Sequence, residues 1–360
     1  MKINRIDIER SSIPLIRPYT VAYETRSDVD LLFARVETDT GLIGYGSGSP
    51  AAAVTGESFE AAFKALTDGR LTELIGSDPR AIGSVIHQVR RCFSRLPAAM
   101  ATVEIALWDL FGKATSTPVV DIIGRCHRRL PTSITLGIQS VERTLADAEE
   151  YLGRGFHVLK VKIGHEFERD IECISRLREL GGDKVELRVD ANQGYSFDET
   201  RALFDQVEAL GVSVVEQPMA PSDDERLALL DPQSCRLLVM DESVQTPGDA
   251  WRLARSTPGL GAFNIKLMKT GGIIRAGEIA KIAHLAGLDL MWGCMDESVI
   301  SISAALHAAF SSPATRYLDL DGSFDLARDP ARGGFDLTDG YLSLRDAPGL
   351  GIDMDWPGNR

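Results

Sequence analysis

HVLKVKIGHEFERDIECISRLRELGGDKVELRVD, residues 157–190, carries one complete repeat of the chain's architecture. It opens and closes on short apolar runs, HVLKVKI (157–163) and KVELRVD (184–190), separated by an amphipathic segment of helical length. Strand, helix and strand in that order make a parallel βαβ unit. Outward from it the pattern recurs, with SITLGI (133–138) before it and VSVVEQ (212–217), RLLVMD (236–241), AFNIKL (262–267), LDLMW (288–292) and RYLDL (316–320) after it. Eight strands, most followed by a helical segment, fit an α/β barrel of the (β/α)8 type. Ser196 with Glu199 three residues on reads as a capping box, and Thr246-Pro247 as an N-cap with proline at the first helical position.

Upstream the pattern changes. Residues 1–50 alternate polar and apolar side chains, as in KINRIDIER (2–10) and DVDLLFARVETDTGLIGYG (28–46), with Asp39-Thr40-Gly41 as a hairpin turn. From Glu57 to Ala114 the spacing becomes helical, ending in AAMATVEIALWDLFGKA (98–114), whose composition predicts a buried helix. The expected organisation is an α+β capping domain over 1–121, a barrel over 122–324, and a segment over 325–360 that packs back on the capping domain.

Composition narrows the function. A net charge of -13 over 360 residues disfavours a polyanion partner, so no nucleic acid is expected. No window approaches ~20 consecutive apolar residues, and MKINRIDIER lacks the apolar run of a signal peptide. A cytoplasmic protein with no membrane association is expected. The cysteines at 92, 126, 173, 235 and 294 are odd in number and form no CxxC pair, which predicts reduced, mostly buried thiols.

Ionisable residues then fall in register with the repeat. Lys162, Asp190, Glu216, Asp241 and Lys266 close five successive strands at gaps of 28, 26, 25 and 25 residues, one βα unit each. In a barrel these positions share the C-terminal face, where active sites are built. Three carboxylates from neighbouring strands form an all-oxygen set suited to Mg2+, while the absence of His or Cys at these ends disfavours zinc. Each charge ends an apolar strand, and an unpaired charge there costs several kcal/mol. Lysines on either side of a metal-bound carboxylate suit removal of the α-proton from one face and its return from the other, that is, racemisation or epimerisation. A lysine base with an ordinary pKa of roughly 10.4 needs a neighbour that lowers it. Lys160, two residues before Lys162 and on the same side of the strand, is the expected neighbour.

With KVKIG, VDANQ, EQP, MDES, NIKLMKTGG, GCMDES and YLDLDG in this order, the chain resembles the muconate-lactonizing branch of the enolase superfamily, in particular its dipeptide epimerases. VTGES (54–58) and the preceding strands resemble that family's capping domain. The resemblance implies a modified (β/α)7β barrel, one Mg2+ per subunit on Asp190, Glu216 and Asp241, and Lys162 and Lys266 as the opposed acid/base pair. It also implies that Asp319 and Asp321 hold the ammonium group of a dipeptide, with Thr135 at the same site, and leaves room for a homo-oligomer. N-acylamino-acid racemisation, succinylbenzoate synthesis and muconate cycloisomerisation are the alternative reactions of this branch.

Two departures bear on the substrate. In the loop Arg17–Asp28, relatives acting on Ala-Glu dipeptides place an arginine where Glu24 stands, with Arg26 the other residue able to take that role. Glu24 and Asp296 are expected to repel an acidic side chain and favour a cationic or neutral one. Ser47 replaces a glutamate and alters a local hydrogen bond. Lys269 and Gly271-Gly272 are read as packing residues rather than a phosphate nest, Cys294 as a small buried thiol, and the six histidines as structural or surface residues.

Overall fold

The computed structural model describes residues 1–21 and 24–356, apart from the side chains of Tyr19, Val21 and Glu24. Strands β1 (Ile3–Val21), β2 (Glu24–Thr38) and β3 (Ile43–Gly48) form an antiparallel sheet, with Gly41 in the left-handed region at the predicted turn. The helix Pro97–Ala114 lies on this sheet and is buried on nearly every side. Glycines in β3 allow the approach: a Cβ on Gly46 would stand 2.0 Å from the Thr102 carbonyl, and one on Gly44 2.2 Å from that of Ala106. Glu57 of VTGES accepts hydrogen bonds from the Ala98 and Ala99 amides at 2.6 and 3.1 Å, capping the helix, while burial pushes its carboxyl up to about 7.

After β4 (Arg129–Pro131) come eight parallel strands whose spatial order follows the sequence. They are β5 (Ile134–Leu136), β6 (Val158–Lys162), β7 (Glu186–Asp190), β8 (Val212–Glu216), β9 (Leu238–Met240), β10 (Ala262–Ile265), β11 (Asp289–Gly293) and β12 (Thr315–Asp319). The Ser133 amide donates to the Leu318 carbonyl at 3.0 Å, which brings β12 against the start of β5 and nearly closes the barrel. All eight predicted strands are present, and both predicted caps form; the Thr246 cap is a full box with Asp249. The β8–β9 connection departs from the simple repeat. It runs as 3₁₀ segments Pro221–Leu229 and Ser234–Leu237, because Pro232 interrupts any continuous helix there. Among the described residues no helix follows β12, so the architecture is (β/α)7β.

The chain after the barrel returns to both parts. Strands β13 (Ala331–Gly333) and β16 (Ile352–Met354) pair with each other, while β14 (Phe335–Thr338) and β15 (Tyr341–Leu344) extend β4 into a small sheet. Leu350 donates to Asp109 of the buried helix, Val119 to Gly349, and the Trp356 ring stacks on Tyr45 at 6.2 Å.

The structure departs from the sequence-based expectation at the Arg17–Asp28 segment and at three of the cysteines. Arg17–Asp28 is not an open loop: β1 and β2 continue into it as a hairpin with Thr20 opposite Thr25, consistent with the β-branched residues at its end. All five cysteines are free, but only Cys173 and Cys235 are buried, since Cys92, Cys126 and Cys294 lie at element ends nearer solvent. Among the described residues no helix is long and apolar enough to cross a membrane.

Candidate active site

The ends of five consecutive strands bring the ladder residues to one mouth of the barrel. Lys162 is in register with Asp190 and Asp190 with Glu216, while Asp241 and Lys266 directly follow β9 and β10. Asp190, Glu216, Asp241 and Lys266 are buried at the mouth of the barrel, so each charge needs a partner. The Lys162 ammonium donates to Asp190 Oδ2 at 2.7 Å and to Asn192 Oδ1 at 2.9 Å. At the other end of the row, Lys266 donates to Asp241 Oδ2 at 2.6 Å. The two lysines thus flank the carboxylates, as the sequence spacing predicts.

Lys160 is the centre of the network. Its Nζ lies 3.0 Å from Asp190, 2.7 Å from Glu216 and 2.7 Å from Asp319. Burial disfavours that ammonium, but Asp190, Asp319 and Glu216 outweigh it and hold the lysine charged, well above its ordinary value. Lys160 and Lys162 meet the same Asp190 oxygen, which places both ammonium groups on one side of the strand. Burial opposes charge on Asp190 and Asp241 too, yet the surrounding lysines pull both below the usual carboxylate range. Burial and Asp190 push Glu216 up to about 8. Among the described residues, no three Asp, Glu, His or Cys side chains converge as a ready metal cage, since lysines stand between the acids.

Across the mouth, Asp319 ends β12 and accepts from Ser133 Oγ at 2.5 Å and Lys160 Nζ at 2.7 Å. Asp321 Oδ2 accepts the Thr135 amide at 2.8 Å, and burial together with Asp319 raises its carboxyl to about 7. Asp296, in the loop after β11, is buried with its carboxylate 3.7 Å from the Arg26 guanidinium. The Thr20 carbonyl at the hairpin accepts from Ile138 after β5, which holds the hairpin against the mouth. Lys160, Lys162, Lys266, Asp296, Asp319 and Asp321 all line one cleft of about 220 Å³, which Thr135 and Arg26 also border. The side chain of Glu24 lies outside the described residues.

Some site residues carry no ladder signal. Asn192 follows Asp190 by two positions, donates its amide to Asp190 Oδ1 at 2.9 Å and holds the Lys162 ammonium. Asn264 precedes Lys266 by two and donates to Glu216 Oε1 at 2.7 Å. A period of two from the charged residue finds the Asn264 side. Lys269 is corrected: it is fully buried with its ammonium 2.5 Å from Asp241 Oδ1, an ionic role rather than packing. The neighbouring glycines do pack, with a Cβ on Gly271 only 1.8 Å from Met100 and one on Gly272 2.5 Å from the Glu104 carboxyl. Cys294 borders the cleft, its thiol 3.2 Å from the Asp319 carbonyl. Ser47 accepts from the Ser301 amide in the first turn of the helix after β11.

Comparison with known proteins follows the same lines. Residues 143–358 match the enolase C-terminal domain-like model, and residues 6–124 the mandelate racemase/muconate lactonizing enzyme N-terminal domain. The chain is 49% identical over 352 residues to the L-Lys-D/L-Arg epimerase of Desulforapulum autotrophicum, covering 98% of this chain and 99% of that one. The crystal structure of the dipeptide epimerase from Methylococcus capsulatus complexed with Mg and the dipeptide L-Arg-D-Lys matches with a TM-score of 0.96 at 47% identity, over 98% and 99% of the two chains. A substrate-liganded complex of the L-Ala-D/L-Glu epimerase from Bacillus subtilis matches with a TM-score of 0.92 at 32% identity, over 98% and 99%. By fold, strand-end residues and these likenesses over nearly its whole length, the chain belongs to the mandelate racemase/muconate lactonizing enzyme family of the enolase superfamily, alongside the dipeptide epimerases.

Proposed function

We propose that the chain is a Mg2+-dependent dipeptide epimerase that inverts the α-carbon of the C-terminal residue by proton transfer between Lys162 and Lys266. The observation that carries this reading is the order at adjacent strand ends: lysine, three carboxylates, lysine. Asp190, Glu216 and Asp241 would hold the metal. They fit it as an all-oxygen set of hard donors from neighbouring strands, with Lys160 at 2.7 Å from Glu216 Oε2 and Lys269 at 2.5 Å from Asp241 Oδ1 holding those oxygens in place. When bound, Mg2+ supplies positive charge that favours loss of the α-proton next to the substrate carboxylate.

The chain's own groups do the rest. One lysine takes the α-proton from its face of the carbon, and the other delivers a proton to the opposite face, which exchanges the configuration. Lys160 keeps a fixed positive charge beside Lys162 and orients Asp190, Glu216 and Asp319. Asp319 and Asp321 receive the substrate ammonium at the other end of the cleft, and the Thr135 amide orients Asp321. Substrates of the alternative reactions carry no free ammonium and have little use for this pair. Asp296, with Glu24, favours a cationic or neutral side chain over an acidic one. The similarity to the L-Lys-D/L-Arg epimerase of Desulforapulum autotrophicum and to the Methylococcus capsulatus epimerase complexed with L-Arg-D-Lys supports the cationic choice.

The test is α-proton exchange in deuterated water with Mg2+ and a panel of L,L-dipeptides. Deuterium at the α-carbon of the C-terminal residue, with the L,D product appearing, is expected. Absence of exchange with every dipeptide in the presence of metal would sink the proposal.

A further inference from the structure

We infer that Gln217 is a positioning residue that sets the spacing of the three carboxylates, an inference that rests on their reading as the Mg2+ ligands. The β8–β9 ladder is two pairs long, Val215 with Leu238 and Glu216 with Val239. The Gln217 amide still donates to the Val239 carbonyl at 3.0 Å, after which the chain leaves the sheet at Pro218. Asp241 therefore lies beyond the point where backbone pairing can hold it against Glu216.

The Gln217 side chain takes over there. It is buried, and its Oε1 accepts the Asp241 amide at 2.9 Å and the Ser243 amide at 3.2 Å. Its Nε2 donates to the Met219 carbonyl at 2.8 Å and to Ser243 Oγ at 2.9 Å. The side-chain amide thus acts as one more peptide group in the ladder, and all of its positions are used. Ser243 Oγ passes the chain of bonds to Asp224, which Arg252 meets at 3.1 Å.

The backbone of the same residue serves the opposite neighbour. The Gln217 carbonyl accepts the Gln193 amide at 2.8 Å, in the loop that follows Asp190. One residue therefore ties the loop after Asp190, the end of β8 at Glu216, and the start of the loop carrying Asp241. Its φ of +33° is rare for a side chain of this size, and a strained backbone persists only where its surroundings over-determine it. A glutamate could accept but not donate, and would add a charge beside Glu216 and Asp241. Both functions of an amide are required.

The test is Mg2+ affinity measured by calorimetry on the purified full chain without substrate. Gln217→Met keeps the length and removes all four side-chain hydrogen bonds, and it is expected to raise the Mg2+ dissociation constant roughly 10- to 100-fold, the usual effect of losing a ligand-orienting partner. Ser58→Ala, which removes a helix cap in the N-terminal unit, controls for lost stability and should leave that constant unchanged. If Gln217→Met does not fold, Ser243→Ala decides, with a several-fold rise expected. An unchanged constant in Gln217→Met, or in Ser243→Ala where that variant decides, overturns the inference, as does an equal rise in Ser58→Ala. A wild-type chain that binds no Mg2+ overturns the metal reading itself.

Discussion

With a substrate ammonium beside it Asp321 carries a negative charge, and replacing it by asparagine removes that charge while leaving an oxygen that can still accept the Thr135 amide, now bonded at 2.8 Å. The hydrogen-bonded frame of β5 and β12 therefore survives, and the change is almost purely electrostatic. At an effective dielectric of about 20, a carboxylate and an ammonium about 3 Å apart attract by about 5–6 kcal/mol. Desolvation of both groups offsets part of this, and Asp319, bonded to Lys160 and Ser133, remains to share the ammonium. A net loss of about 2–4 kcal/mol follows, or roughly 30- to 900-fold in kcat/KM. The ammonium is bound equally before and during proton transfer, so the loss should appear in KM more than in kcat. Steady-state epimerisation of a dipeptide, followed by polarimetry, measures it. The same variant should turn over an N-acylated amino acid as well as the wild type does, since that substrate brings no ammonium. Dipeptide kcat/KM within threefold of wild type would refute the ammonium assignment.

Other outcomes follow from the same network. Asp296→Asn should lower kcat/KM for dipeptides ending in Lys or Arg roughly 10- to 150-fold, the worth of a hydrogen bond to a charged group, and leave a Leu-terminated dipeptide within threefold; equal losses for both substrates would show a general rather than a side-chain role. Glu104 is fully buried beneath the helix that starts at Ile273, its carboxylate accepts the Ile274 amide at 2.8 Å, and burial raises its carboxyl from the ordinary 4.5 to about 7. The folded chain keeps a proton that the unfolded chain releases. This contribution to stability is complete below pH about 4.5 and is lost as pH rises through about 7. Glu104→Gln should remove up to about 3 kcal/mol of the fall in unfolding free energy between pH 5 and pH 8, measured by urea titration. Parallel profiles for the two proteins would contradict that burial argument.

The barrel was legible because strand and helix periods differ and because each unit of about 25 residues ended in a charge that an apolar strand does not otherwise tolerate. The same logic placed Lys162, Asp190, Glu216, Asp241 and Lys266 together at the mouth. Position in the row did not reveal which charge meets which. Asp319 pairs with Lys160 across 159 residues of chain only because β12 closes on β5, a consequence of closure and not of local pattern. Lys269 sits one helical turn after Lys266 in an apolar segment, where composition suggests packing, and only the fold turns its ammonium onto Asp241. Amides such as Asn264 and Gln217 carry no charge signal, and only the folded chain brings them onto Glu216 and the Asp241 amide. The 3₁₀ connection after β8 was hidden for a simpler reason, since a run of proline and acidic residues marks a break without specifying what replaces the helix.

Two lysines working on opposite faces of one carbon leave separable signatures in stereochemically resolved α-proton exchange by Lys162→Ala and Lys266→Ala. Each variant should lose epimerisation by roughly 10²–10⁴-fold. Each should still exchange the α-proton of one epimer with deuterated solvent, and the two variants should differ in which epimer that is. Epimerisation retained in both variants, or exchange of the same epimer by both, would rule out Lys162 and Lys266 as the opposed pair.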